Sequence, residues 1–418
     1  MGAEGPWVGQ IPRRPCCTGF SGATLEPEAC YALNAMCRPL ATLLAAAAAA
    51  GCLLALPGVA SAAAVDRDGM WIWYVSRSDG GDVQRMVARA TANNIGLVIV
   101  KAADARTPWR QFSPQLVSGL HAAGIRVCAY QFVYGRYPRT EAALGAWAAR
   151  QGADCLMIDA EGHYEGKYVS AQTYISRLRA LVGPDYEVGL ASFPYVHLHP
   201  GFPYSVFLGP GGAQENVPQM YWKTIGVSPD RIFQITYSYN SVYGRPIYPL
   251  GQTYGNPSSP EVLRFRTLAK VYGARGVSWW VWQYSGTTQW NAVGLPFAPI
   301  ALLRRDVLPL LRRGNRSDLV VWAQQHLLGL GLLTRVDGIF GPKTEAAVAS
   351  FQSTHGLPAT GQIDSATWPQ LLRGGAAAVR WSPRAGRAAA ARRGPTMLPP
   401  KSASEPMVRN ELSGKRGG

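Results

Sequence analysis

One strand–helix–strand unit decides the fold class: RVCAYQFVYGRYPRTEAALGAWAARQGADCLMIDAE, at residues 126–161. Its two ends, 126–134 and 155–161, are apolar runs of strand length. Between them, the Ala-rich stretch 140–152 has an amphipathic helical pattern and ends in Gly152, as helices commonly do. Continuous apolar strands that alternate with helices form parallel sheets. The unit therefore predicts an α/β fold.

The same alternation repeats along most of the chain. Eight units in roughly 220 residues match a (β/α)8 barrel of the TIM type. An open, doubly wound sheet is the alternative, but it leads one to expect a glycine-rich phosphate loop after the first strand, which VSRSDGGD at 75–82 does not supply. The predicted strands are 69–75, 96–104, 126–134, 155–161, 187–193, 216–222, 245–254 and 276–284.

Polar and aromatic residues end several of these strands. In a barrel of this type, function is located at the C-terminal ends of the strands. Amides, phenols and large rings gathered there suit a polyhydroxylated ligand such as a sugar. The predicted substrate-binding residues are Lys101, Gln131, Tyr134, Gln219, Trp222, Trp282 and Gln283.

Two carboxylates end the fourth predicted strand. On a strand, Asp159 and Glu161 point to the same side about 6.6 Å apart, so both can face the end of the barrel. Such a pair interacts, which raises the pKa of one acid and leaves the other ionised. A proton donor beside an anionic stabiliser is what cleavage of a glycosidic bond requires. Alternatively, Asp159 caps the next loop and Glu161 is solvated.

The sequence DAE at 159–161 resembles the D-x-E motif of the bacterial and phage muramidases of glycoside hydrolase family 25, and also the end of the chitinase signature. WQYSG at 282–286 and QMYW at 219–222 resemble two further segments of that muramidase barrel. The resemblance implies that Glu161 is the general acid and then the base. It also implies that Asp159 stabilises the N-acetyl group of the substrate and that Tyr221 orients it.

The first strand departs from the muramidase pattern. The family has D-x-S there, whereas residues 74–76 read YVS. Either another acid, Asp104 or Asp79, takes that place, or the barrel is a non-catalytic glycan-binding domain.

A second unit at 308–373 resembles the peptidoglycan-binding module PG_binding_1. The matching motifs are Q-x-x-L at 325–328, D-G-x-F-G-x-x-T at 337–344, A-V-x-x-F-Q at 347–352 and G-x-x-D-x-x-T-W at 361–368. Three short helices are predicted within it. The resemblance implies binding to the cell wall, and the predicted binding residues are Asp337, Phe340, Lys343 and Thr344.

The N-terminal residues have the three parts of a secretory signal peptide, predicted at 36–64. One positive residue is followed by a long apolar run and then by small residues around Ala60-Ser61-Ala62. Residues 1–35 are interpreted as an over-extended start. A rival hypothesis makes Cys52 the lipidated cysteine of a bacterial lipoprotein.

Charge and composition limit the partners. The chain has 418 residues and a formal net charge of +16, much of it in a tail at 374–418 that is predicted to be disordered. Basic character favours any polyanion without choosing among them. In the predicted exported protein, Cys128 and Cys155 either pair or are small core residues, and the second interpretation is favoured.

No metal or cofactor is predicted. His197 and His199 have metal-like spacing but no third ligand nearby, and no nucleophile motif is present. The sequence thus predicts a barrel at 66–298 that is a secreted, bacterial, wall-associated glycan hydrolase, muramidase-like or a related N-acetylhexosaminidase. Its expected partner is peptidoglycan, with no nucleic acid and no stable membrane span. The alternatives are a non-catalytic glycan-binding protein and, less favoured, a wall amidase.

Overall fold

The computed structural model describes residues 63–296 and 307–382. The predicted over-extended start, the predicted signal peptide except for its last two residues, and the tail beyond residue 382 lie outside the described residues. None of the helices in the described ranges is long and apolar enough to cross a membrane.

Eight parallel strands form a nearly closed barrel, which confirms the predicted fold class. The parallel strands follow one another around the sheet in the order β7-β6-β5-β4-β2-β1-β9-β8. Single bridges from Asn216 to Ile247 and from Gln219 to Leu250 join the two outer members. The strands are β1 (Gly69–Ile72), β2 (Leu97–Asp104), the short antiparallel β3 (Thr107–Pro108), β4 (Arg126–Val133), β5 (Cys155–Ala160), β6 (Glu187–Ser192), β7 (Glu215–Pro218), β8 (Leu250–Gln252) and β9 (Ser278–Trp280).

Helices cover the outside of the barrel and form the C-terminal module. Most begin with Pro in the first turn or with a capping side chain, as Ser258 and Glu261 do in a reciprocal capping box. The barrel helices are α1 (Val83–Ala92), α2 (Pro114–His121), α3 (Pro138–Arg150), α4 (Tyr168–Val182), α5 (Tyr204–Phe207), α6 (Trp222–Ile225), α7 (Pro229–Asn240), α8 (Ser259–Val271) and α9 (Thr287–Gly294). The module helices are α10 (Asp318–Gly329), α11 (Pro342–Thr354) and α12 (Thr367–Leu371).

Alternating residues of each strand divide the core into two layers. In β5, Cys155 and Met157 face the barrel interior, while Leu156 and Ile158 pack under the helices. Because side chains alternate along a strand, Asp159 continues the interior row. The strand alternation thus carries the acidic residues into the C-terminal end of the barrel, called the mouth below.

A disulfide joins β4 to β5 inside the barrel. Cys128 and Cys155 are direct partners on these neighbouring strands, with their Cα atoms 4.6 Å apart, and both are fully buried. The favoured interpretation of two unpaired core cysteines is therefore wrong. Sequence spacing could not decide this, because the pairing depends on the register between two strands that are 27 residues apart.

The module docks against the barrel through α10. This helix is buried around most of its circumference, because one side packs on the module and the other on the barrel. Its Asp318 lies among barrel residues, and the indole Nε1 of Trp322 donates a hydrogen bond to the Val242 carbonyl at 2.6 Å. The module and the barrel therefore share a continuous apolar core.

The chain after the module returns to the barrel. Trp381 packs on Tyr168 with ring centroids 4.5 Å apart, and the side chain of Gln172 bonds the backbone of Val379 and of Trp381. An apolar ring and a polar partner on α4 thus hold residues 379–381, which lie in the tail that is predicted to be disordered.

Candidate functional site

A cavity opens at the mouth of the barrel. Seven of the eight parallel strands, or the residues that directly follow them, supply most of its wall. Its lining combines two acids, one amine, one amide and a majority of aromatic rings: Trp71, Trp73, Lys101, Tyr130, Phe132, Asp159, Glu161, Gln219, Tyr221, Leu250 and Trp280.

The two acids are held side by side. The amide nitrogen of Gln219 donates hydrogen bonds to Asp159 Oδ1 and to Glu161 Oε1, both at 3.1 Å. Each acid is only 7% exposed. Glu161 lies just past β5, but its extended backbone (φ −129°, ψ −152°) continues the strand alternation. The structure thus brings together three of the residues that the sequence singled out.

Burial and charge raise the pKa of Asp159 well above its ordinary range. The largest cause is loss of solvent, and the negative charge of Glu161 adds to it. Lys101 and the Gln219 amide act in the opposite direction. The site therefore retains a proton at pH values where an exposed aspartate is ionised.

Tyr221 lies beside the acids as a protonated phenol. Burial raises its pKa well above the ordinary value, with smaller contributions from Tyr254, Asp159 and Glu161. The ring contacts that of Tyr254 edge to face, 5.6 Å between centroids. Its hydroxyl can therefore donate a hydrogen bond into the cavity.

Lys101 is a buried cation surrounded by aromatic rings. Its Nζ pairs with Asp104 Oδ2 at 2.7 Å. Cations over ring faces are attracted by the ring quadrupole. Nζ lies 4.9 to 5.9 Å from the ring centroids of Trp73, Trp109, Tyr130 and Phe132. Lys101 therefore supplies positive charge near the acids without being exposed to bulk water.

An aromatic wall stands opposite the acids. Trp71 contacts Tyr130 and Trp280 at 4.9 and 5.8 Å between centroids, and Trp73 contacts Trp280 at 6.1 Å. Trp73 and Trp280 keep 7% and 8% of their surface exposed at the cavity. The strand alternation could have identified Trp71 and Trp73, since they occupy the interior row of β1.

Neither tryptophan predicted to bind substrate lines the cavity. Trp222 is fully buried and stacks on Phe265 at 4.9 Å under the helices. Trp282 packs on Trp290 at 4.8 Å, and its Nε1 donates to Asp79. Both rings lie outside the cavity because β7 and β9 end earlier than expected, and the chain turns into a short helix at each tryptophan. Their role in substrate binding stays a prediction.

Gln131 also faces away from the cavity. Its amide nitrogen donates to the Glu141 carbonyl at 2.8 Å, and its oxygen accepts a hydrogen bond from Tyr174 at 3.1 Å. It occupies the helix-facing row of β4, one residue from Tyr130, which lines the cavity. Gln131 therefore does not line the cavity, and its role in substrate binding stays a prediction.

Two further predicted binding residues lie near the cavity without lining it. The oxygen of Gln283 accepts a hydrogen bond from the backbone of Trp73 at 3.4 Å, behind the aromatic wall. Tyr134 packs on His163 at 4.6 Å and on Phe132 at 4.9 Å at the rim. Burial and then Asp104 raise the pKa of Tyr134 far above its ordinary value.

The two acids considered as substitutes for a first-strand aspartate differ in position. Asp79 forms an ion pair with the Arg89 guanidinium at 2.5 Å and accepts a hydrogen bond from Trp282, so its carboxylate stabilises the fold. Asp104 pairs with Lys101 at the mouth and contributes to the raised pKa of Asp159. Of the two, only Asp104 influences the cavity.

In the module, most of the predicted binding residues are structural. Phe340 is fully buried, and Thr344 is 3% exposed and accepts a hydrogen bond from Gln324 at 2.9 Å. Gln324 also donates to Asp337, which in turn accepts from the amide of Ile339. Phe340 and Thr344 therefore belong to the interior of the module in this structure, and their contact with a polymer stays a prediction. Lys343 is exposed.

The described ranges contain no cluster of three or more histidine, cysteine or acidic side chains placed to hold a metal ion. His197 stacks on Tyr239 at 4.3 Å, and His199 stacks on Phe193 at 3.4 Å. These two rings are therefore engaged in packing.

Comparison with known proteins identifies the module. Residues 316–371 match the family model described as "Putative peptidoglycan binding domain". A peptidoglycan-binding protein from Clostridioides difficile is 45% identical over 16% of this chain and 41% of its own, with a TM-score of 0.15. The described segment is therefore a domain of the peptidoglycan-binding type, as predicted.

Further similarities include the following two. The "Putative OxPP cycle protein OpcA" of Synechococcus elongatus is 48% identical over 79 residues, and the chain spans only 18% of the length of that relative. A class V chitinase from Pseudomonas fluorescens is 9% identical over 54% of this chain and 98% of its own, with a TM-score of 0.43.

Proposed function

We propose that this protein is an exported glycan hydrolase of the cell wall, muramidase-like or a related N-acetylhexosaminidase, that is held on peptidoglycan by its C-terminal module. The observation that carries the proposal is the pairing of Asp159 and Glu161 on one Gln219 amide, in a cavity walled by aromatic rings. Aromatic faces suit sugar rings, and a carboxyl pair with one retained proton suits glycosidic cleavage.

In the proposed mechanism, Glu161 donates its proton to the glycosidic oxygen as the bond to the anomeric carbon breaks. The carbonyl oxygen of the substrate's own N-acetyl group forms the new bond to that carbon. Asp159 accepts a hydrogen bond from the N-acetyl N–H, and the Tyr221 hydroxyl donates one to its carbonyl. Glu161 then takes a proton from the water that opens the cyclic intermediate.

The raised pKa of Asp159 fits this division of labour, because burial and the neighbouring charge of Glu161 favour one retained proton on the pair in the resting enzyme. When the substrate N–H reaches Asp159, the ionised form of this residue gains a donor. The shared proton then resides on Glu161, where cleavage requires it. Asp104 supports the arrangement through Lys101 and takes the place of the first-strand acid.

A non-catalytic glycan-binding barrel is the second candidate. It is favoured by Tyr74, which stands where the muramidase pattern has an aspartate and packs on Trp73 and Trp109 at 5.0 and 5.4 Å. In this case the aromatic cavity binds sugar and the two acids only supply hydrogen-bond acceptors.

The deciding experiment measures reducing ends released from purified peptidoglycan, with chito-oligosaccharides as a second substrate. Glu161→Gln should lower the rate by at least about a hundredfold, since the general acid contributes roughly that much. The matched control is Glu165→Gln, four residues away on the same loop, where the exposed acid contacts His199 instead. Glu165→Gln should keep the activity of the unsubstituted protein.

The catalytic role is rejected if Glu161→Gln releases as many reducing ends as its control. It is also rejected if the unsubstituted protein releases none. In the second case, binding of chito-oligosaccharide that is weakened by Trp280→Ala would support the glycan-binding alternative instead.

Wall anchoring is tested by sedimentation with insoluble peptidoglycan. Lys343→Glu changes the exposed predicted contact at the start of α11 and should lower the bound fraction. Lys270→Glu, an equally large charge change on the exposed face of α8, should not. Equal sedimentation of the two variants would contradict a role of this module surface in binding.

A further inference from the structure

Residues 63–66, called the strap below, close the end of the barrel opposite the mouth. This end, where the strands begin, is called the floor. Val65 belongs there to the same buried apolar cluster as Trp71, Leu97 and Ile99. The strap lies so close to Gly276 that a Cβ atom at this position would stand 2.0 Å from the Val65 carbonyl oxygen. A glycine is therefore required opposite the strap.

Three consecutive amides of the strap are bound by carboxylates. Ala63 N donates to Asp66 Oδ2 at 3.2 Å, Ala64 N to Glu187 Oε2 at 2.7 Å, and Val65 N to Glu187 Oε1 at 3.2 Å. Ala64 and Val65 are buried. The strap is thus held by charged acceptors, whose hydrogen bonds are stronger than those of neutral ones.

The floor contains acids that are largely withdrawn from water. Glu215 begins β7, is 5% exposed, and its Oε2 has no hydrogen-bond partner. Burial and then the charge of Glu187 raise the pKa of Glu215 to about 8. Burial also raises the pKa of Glu187, although the strap amides oppose the effect, and Asp66 adds to it. The cations that face these acids are Arg275, Arg179 and Arg245.

The sequence just before the strap has the small-residue pattern of an export cleavage site. Ala60-Ser61-Ala62 directly precedes Ala63, and such A-x-A sites are cut after their last residue. A cut there would turn the Ala63 amide into an ammonium group at the position that already contacts Asp66. The floor would gain a positive charge beside its acids.

We propose that the chain is cleaved between Ala62 and Ala63, and that the released ammonium group of Ala63 binds the carboxylate of Asp66 and completes the floor of the barrel. Cleavage by an export peptidase adds one water across the peptide bond, which leaves a carboxylate on Ala62 and the ammonium on Ala63. The barrel then reaches full stability only after the leader is removed. This inference rests on the export part of the proposed function and is independent of the chemistry at the mouth.

The first test is the intact mass and N-terminal sequence of the full chain after export by a bacterial host. We expect a mature protein that begins at Ala63. A mature protein that begins at any other residue would overturn the proposal. Catalytic inactivity of the same sample would concern the mouth alone, so the two proposals fail separately.

The second test compares a protein that begins at Ala63 with one that carries Gly-Ser before Ala63. The first is made with an initiator methionine, which host aminopeptidase removes before alanine. The Gly-Ser extension moves the ammonium away from Asp66 without changing any side chain. We expect it to lower the melting temperature by about 2–4 °C, and equal melting temperatures would overturn the proposal.

Asp66→Asn should abolish this difference, because it removes the partner of the ammonium group. Glu165→Gln, far from the floor, should preserve it. If Asp66→Asn does not fold, the proposal is tested instead by measuring the pKa of the Ala63 amino group in the protein that begins at Ala63 and carries no substitution. We expect a value clearly above the ordinary α-amino range of about 7.7–8.0, and a value within that range would contradict the ion pair.

Discussion

Asp318, in the first turn of the first module helix, accepts a hydrogen bond from the hydroxyl of Tyr168 in the barrel at 2.9 Å. The same carboxylate accepts from Tyr243 at 2.8 Å, and from the amide and hydroxyl of Ser205 at 2.8 and 2.5 Å. It is 1% exposed. A module residue therefore satisfies four donors of the barrel at once.

We expect Asp318→Ala to separate the two domains energetically. The substitution leaves four buried donors without an acceptor, and each unsatisfied group costs about 1–3 kcal/mol. Calorimetry should show two thermal transitions in place of one. Asp364→Asn, which keeps an oxygen at the exposed cap of α12, should retain a single transition. One unchanged transition in Asp318→Ala would show that the buried carboxylate does not couple the domains.

Truncation after residue 296 should yield a poorly soluble barrel. The module covers Tyr243, whose ring lies 5.7 Å from that of Trp322, and it supplies the acceptor for Tyr168. Removing the module exposes apolar rings and leaves buried hydrogen-bond donors without their acceptors. We expect increased binding of a hydrophobic dye and a lower melting temperature than in the full chain. A truncated barrel as stable as the full chain would mean that the interface contributes little.

The sequence predicted the barrel and the position of its acids because both follow from strand alternation. Cys155, Met157 and Asp159 share one row of β5, and Glu161 continues it. Trp222 and Trp282 lie away from the cavity because alternation ends with the strand, and the residue at which a short strand ends depends on tertiary packing. Pattern alone does not show that position.

The module shows a second limit of the same kind. Its motif residues were recognisable, yet Phe340 and Thr344 are buried, and Asp318, which lies outside the motifs, makes the main polar contact with the barrel. A small domain needs most of its recurrent residues for its own core. The docking of one domain on another depends on surfaces that meet only after both have folded.

Two substitutions at the mouth should move the alkaline limb of the pH–rate profile in opposite directions. Lys101 lowers the pKa of Asp159 and Asp104 raises it. Lys101→Met should therefore shift the limb to higher pH, and Asp104→Asn should shift it to lower pH. The measurement is initial rate against pH for soluble glycan fragments. If the alkaline limb moves in the same direction in both variants, or does not move, the proton of the acidic pair does not control it.

The disulfide should contribute substantially to stability. It closes a loop of 27 residues, for which the chain-entropy estimate is about 3.5 kcal/mol. We expect Cys128→Ala/Cys155→Ala to lower the free energy of unfolding by roughly this amount in urea titrations. The same titration under reducing conditions should give a similar value for unsubstituted protein. A loss below about 1 kcal/mol would indicate that the unfolded chain is already compact in this region.

Asp159→Asn should stabilise the protein while it abolishes hydrolysis. The pKa of Asp159 is raised in the folded state. Its favourable contribution to the free energy of unfolding is therefore complete below the unfolded-state pKa near 3.8, and it is lost as pH rises through the folded-state pKa. Asparagine resembles the protonated acid and does not incur this loss. The melting temperatures of variant and unsubstituted protein should therefore coincide at pH 3 and diverge in favour of the variant as pH rises.

Asp230→Asn should change the stability in the opposite direction. The Arg264 hydrogen bond holds the pKa of Asp230 below its ordinary value, so its contribution is present above the unfolded pKa and is lost as pH falls through the folded one. This variant should be slightly less stable at neutral pH, by up to about 1 kcal/mol, since the pair is exposed. If the Asp159→Asn variant is instead less stable than the unsubstituted protein at neutral pH, as expected for Asp230→Asn, the mouth favours an ionised Asp159. The retained proton would then reside on another group.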